Sequence, residues 1–238
     1  MNSGPLLDSM NARIALDKEE GDIAYFSALT LELEYVTKLV TAALIACVVD
    51  EPERQRYSLE HTLVRANSLG DWADALSATL TGPAAQYFRP EATAIARQLT
   101  ERVGRDDWRY AALIQMQNVA TCLGIDAKVG NKVALRQFFQ IGSAIRNRTR
   151  GHGATTSEQC GRICPDLAES LTTITGALEL FRIPWAYLHR NLSGKFRVSP
   201  LLGHCDEFDY LKKTKDIVLP NGVFMALGGP VYLPLVFS

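Results

Sequence analysis

Within the run Ala144-Ile-Arg-Asn-Arg-Thr-Arg-Gly-His-Gly153, arginines at 146, 148 and 150 precede a histidine at 152 that lies between two glycines. An arginine presents a planar fork of N–H donors that fits a phosphate. A histidine titrates near neutrality and can carry a proton to or from a reacting oxygen. Together they form a rational phosphate site with a group that can move a proton. Geometry sets a condition on that chemistry. Arg146 and His152 are six residues apart, so on an unbroken helix they point about 120° away from each other. They reach one target only if the helix ends between them, and Gly151 and Gly153 stand where the chain would leave it. Ile145 and Phe138 anchor the preceding turns in a core, so Arg146 emerges at its rim.

The charge pattern agrees. Between Ala127 and Ser157 the chain carries Lys128, Lys132, Arg136, Arg146, Arg148 and Arg150 and no acidic residue. The net charge of the 238-residue chain is −1, so the remainder carries −7. Such a balance excludes binding to nucleic acid through bulk positive charge and leaves room for a local anion site.

Arg146-Asn147, four further residues and then His152 resemble the arginine, polar residue, x(4–6), histidine motif of HEPN domains. These are helical bundles of prokaryotic toxins, phage-defence effectors and CRISPR-associated ribonucleases. The resemblance implies a metal-independent endoribonuclease with no cofactor, acting as a homodimer whose two arginine–histidine pairs share one cleft. His152 would then activate the 2′-hydroxyl or protonate the leaving 5′-oxygen. Arg146 would stabilise charge on the phosphate, and Asn147 would orient the loop or the imidazole. Arg148 and Arg150, with Lys132 and Arg136, would hold the RNA backbone. RNA, a second copy, and an antitoxin or defence-complex component are the implied partners. A second interpretation stands beside this one: a catalytically inert HEPN-like module for dimerisation or sensing within a larger signalling or defence protein.

Other reactive residues offer less. Cys160 and Cys164 share a helical face and could join His152, His204 and Cys205 around zinc, but the spacing is not that of a zinc ribbon. No metal is expected. Cys47 and Cys122 fall in apolar helical stretches and read as buried thiols. His61 and His189 read as structural, and Trp72, Trp108 and Phe138-Phe139 as core. Phosphate-loop, dinucleotide and nucleophile-elbow motifs do not occur.

The elements that must position these residues are mainly helical. Phe26, Leu33, Val40 and Cys47, interleaved with Leu29, Val36 and Ala43, mark an apolar stripe on a helix of about seven turns. Further helices are predicted over about 52–80 (bent near Gly70), 90–103, from Asp106-Asp107 to near Gly124, 131–150, and 157–181 with a possible restart at Pro165. Residues 185–238 hold 8 of the 20 aromatics, and 185–189, 195–199 and 222–228 read as strands separated by turn residues. The predicted fold is thus mainly α: a flexible segment over 1–21, a HEPN-like helical bundle over 22–183, and a small antiparallel β region over 184–238. The apolar end from Val231 fits a last strand or a sheet completed by further sequence. No secretory signal is legible, and Leu39 to Val49 is too short to span a bilayer. A cytoplasmic protein without a membrane partner is expected.

Overall fold

The stripe from Phe26 to Cys47 is the axis of the molecule. The computed structural model describes residues 4–49, 52–151 and 155–233. In it, Phe26, Leu29, Leu33, Val36, Val40, Ala43 and Cys47 are all buried along a helix that begins at Asp22. Each large apolar side chain so buried contributes roughly 1.5–3 kcal/mol. Eight α-helices are found among the described residues: α1 Pro5–Glu20, α2 Asp22–Ala46, α3 Gln55–Val64, α4 Leu69–Thr81, α5 Thr93–Thr100, α6 Trp108–Cys122, α7 Arg136–Gly151 and α8 Ser157–Ala177. Helix α2 packs against α1, α4, α7 and α8, and α6 lies between α7 and α8.

The predicted elements are present, with several boundaries corrected. Residues 1–21 were expected to be a flexible segment, but Pro5–Glu20 is a helix on α2. Pro5 suits a first turn, Arg13 pairs with Asp17, and Leu6, Leu7, Met10 and Ile14 meet the core at helical spacing. The predicted 52–80 helix is two helices. The break falls before Gly70, because Ser68 and Asp71 form a capping box that starts α4 at Leu69. Helix α7 starts at Arg136 rather than at 131, since Val133 is held extended by a bridge to Val103. That bridge also explains why α5 stops at Thr100. Helix α8 continues through Pro165, with Cys160, Ile163, Cys164 and Leu167 buried on either side of it.

Four strands follow: β1 Trp185–Arg190, β2 Phe196–Leu202, β3 Gly222–Ala226 and β4 Pro230–Leu233, antiparallel in the order β2-β1-β3-β4. Alternation separates the two faces. Trp185, Val223, Met225, Val231 and Leu233 join the core of the helices. Ala186, Leu188 and Phe224 face the other way, onto Cys205, Phe208 and Leu211 of the β2–β3 connection. One core therefore runs from the bundle into the sheet, and residue 184 marks a change of secondary structure within it. Residues 230–233 are an edge strand of the sheet among the described residues.

One contact sets the depth of α7 against α2. A Cβ placed on Gly142 would lie 2.9 Å from Leu33 Cδ1, and Leu33 is fully buried. The two helices meet closely there because glycine has no side chain to keep them apart.

Candidate functional site

Helix α7 runs through Arg150 to Gly151. Arg146, Asn147 and Arg148 therefore project about 100° apart in succession, and each meets a different neighbour. Arg146 turns to α2, where its Nε lies 3.5 Å from Glu34 Oε2. Asn147 is exposed beside the first turn of α4, its Nδ2 3.9 Å from where a Cβ on Gly70 would stand. Arg148 reaches the end of α6, its Nε donating to the Leu123 carbonyl at 3.5 Å. The acid-free flank of the sequence is thus not acid-free in space, for α2 brings Glu34 to it. His152 lies outside the described residues, as does its disposition towards Arg146.

Glu34 is the residue sequence reasoning missed. It accepts a hydrogen bond from Lys38 Nζ at 2.7 Å, and Lys38 also stands 5.7 Å from the centre of the Trp72 ring. The site is where α2, the start of α4 and the end of α7 converge. Arg146 is held there by its ion pair with Glu34 alone: its buried Nε makes no hydrogen bond, and its two terminal nitrogens have no hydrogen-bond partner among the described residues. A guanidinium held in this way is oriented in advance, and its outer fork remains available to an anion. No periodicity could have disclosed Glu34, which is 112 positions away in the chain. Two residues before it, Glu32 is buried, and burial pushes its carboxyl up to about 7.

Lys132 and Arg136 are not part of this convergence. Arg136 is ten residues from Arg146, about 15 Å along the helix axis. It lines a shallow pocket of about 290 Å³ with Thr81, Thr100, Arg102, Ala134 and Gln137. Lys132 is exposed nearby, its carbonyl accepting from Arg102.

The cysteines are distributed through the packing. Cys160 and Cys164 lie in the main core and Cys205 beneath the sheet, where its thiol faces the Trp185 carbonyl at 3.1 Å. Burial pushes Cys164 up to about 12. No cluster of three metal-ligating side chains occurs among the described residues. Cys122, expected to be buried, is exposed in the last turn of α6. Phe138 and Phe139 are fully buried, so Phe139 offers no face to a base. His61, expected to be structural, is exposed on α3 beside Tyr57.

No known family model, curated protein or solved structure matches the chain. Among the described residues no helix is long and apolar enough to cross a membrane.

Proposed function

We propose that the end of α7 is the catalytic site of a metal-independent endoribonuclease. The observation that carries this is Arg146, ion-paired with Glu34 at 3.5 Å yet with no hydrogen bond from its buried Nε, so that its donors are available to an anion. A donor fixed before the substrate arrives stabilises developing charge without reorganising. In the reaction, a base removes the proton of the RNA 2′-hydroxyl, and that oxygen attacks the adjacent phosphorus. The P–O2′ bond forms, the P–O5′ bond breaks, and a proton passes to the departing 5′-oxygen. His152 serves as base or acid, and a second copy of the chain supplies the other histidine. Arg146 holds a non-bridging oxygen, and Asn147 orients the imidazole. Arg150 adds positive charge along the strand. Glu34 is a positioning residue.

The test is incubation of single-stranded RNA with the purified protein in EDTA, followed by end-group analysis. Cleavage should leave a cyclic phosphate and a 5′-hydroxyl, and DNA, which lacks the 2′-hydroxyl, should stay intact. His152→Ala should abolish cutting. Full activity in His152→Ala would discard the site. A second interpretation has its own support: Arg146, Asn147 and Arg148 face three different helices, and two of them serve the packing of α7. A dimeric protein that binds partners but never cuts RNA would fit an inert module for dimerisation or sensing.

A further inference from the structure

Helix α3 carries a surface that its sequence does not advertise. Arg54, Tyr57, Ser58, His61, Thr62 and Arg65 follow one another at spacings of three, one, three, one and three, which places them on one helical face. All six are exposed. The flat groups are already layered. The Arg54 guanidinium lies 4.6 Å from the centre of the Tyr57 ring. The Tyr57 and His61 rings stack with centres 6.2 Å apart and planes 23° from parallel.

Two further observations separate this face from an ordinary solvated one. Among the described residues no carboxylate belongs to it: Glu60 is turned to Arg56 at 2.8 Å and Glu53 to the Tyr87 hydroxyl at 3.1 Å. Arg54 and Arg65 make no ion pair among the described residues. Arg54 also has φ 55°, the one non-glycine residue in the left-handed region among those described. That conformation is uncommon for a residue with a Cβ, and here it starts the helix with the guanidinium laid back over Tyr57.

We propose that this face is a stacking platform for single-stranded RNA. Planar side chains take bases without regard to sequence, and guanidinium groups serve both as stacking planes and as phosphate partners. The face also leads somewhere. Arg65 is five residues from Gly70, hence at most about 18 Å from it, and Gly70 adjoins Asn147. A strand lying on α3 is thereby directed to the end of α7. That destination rests on the ribonuclease proposal; the platform does not.

The experiment is a fluorescence-anisotropy titration with a labelled 2′-O-methyl oligouridine, which stacks like RNA and cannot be cut. Tyr57→Ala should weaken binding roughly 10-fold, and Tyr57→Phe should retain it. Arg65→Gln should lower the salt dependence by about one counterion. Duplex RNA should bind without regard to Tyr57, because its bases are already stacked. Absence of binding, equal affinity in Tyr57→Ala, or equal competition by polyglutamate would each overturn the platform. The outcomes also separate the two proposals. Cleavage with an unchanged KM in Tyr57→Ala leaves the nuclease and removes the platform. Tyr57-dependent binding without any cleavage leaves the platform and removes the nuclease.

Discussion

The end of α7 and the face of α3 both carry arginines, yet they use them differently. On α7, Arg146 is paired with Glu34, and Arg148 donates to the Leu123 carbonyl just past the end of α6. At α3, the Arg54 guanidinium lies over the Tyr57 ring, and neither it nor Arg65 makes an ion pair among the described residues. In the sequence the first group is the conspicuous one, dense and free of acids, whereas the second is scattered among Glu53 and Glu60. In space part of the first becomes structural, and the second loses its acids to Tyr87 and Arg56. Positive charge in a sequence is an inventory. What remains available to a ligand depends on which carboxylates and carbonyls the fold brings within reach.

The largest expected effect concerns chemistry. Arg146→Ala should lower the cleavage rate roughly 10²- to 10³-fold, the range for removal of a preorganised charge-stabilising donor. Arg54→Gly should change KM while leaving kcat alone. Parallel losses of kcat in both variants, read by single-turnover and steady-state kinetics, would erase the distinction between the two regions.

Next comes stability against pH. Burial raises Glu32 from 4.5 to about 7, so the folded state favours the protonated carboxyl. That contribution is complete below pH 4.5 and is lost as pH rises through about 7. Glu32→Gln should therefore be more stable than wild type at pH 8 by about 3 kcal/mol and equal to it at pH 4. Urea denaturation at the two values measures the difference.

A smaller effect distinguishes the committed arginines from the free ones. Arg148→Ala should cost about 1 kcal/mol, one hydrogen bond to a helix-terminal carbonyl. Arg65→Ala should stay within about 0.5 kcal/mol of wild type, as exposed substitutions do. Equal losses in thermal melts would show that the α3 face is part of the packing.

Much of the architecture was legible because it depends on local signals. The period of α2, Asp107 at the start of α6, and the aromatic alternation of β1 are each carried within a few residues. Helix α1 escaped notice because its many charges conceal a narrow stripe of Leu6, Leu7, Met10 and Ile14. The 131–135 segment reads as helix in the sequence because its restraint, the Val103–Val133 bridge, is 30 residues distant. The site followed the same rule. Arg146 and Asn147 were visible as types and spacing, while Glu34, Leu123 and Gly70, which decide where they point, come from three other helices. The Tyr57–His61 layer was passed over because neither residue has a chemical companion next to it in the chain.

Gly142 links the interior to the charge it supports. It precedes Arg146 by one helical turn, and the Leu33 it touches directly precedes Glu34. The guanidinium–carboxylate spacing is therefore gauged by a position that bears neither charge nor donor. A methyl group at 142 would find Leu33 Cδ1 at 2.9 Å, so the tip of that buried side chain would have to shift to admit it. A rearranged Leu33 would act in turn on Glu34, the next residue of α2, so an apolar contact and an ion pair share one turn of that helix.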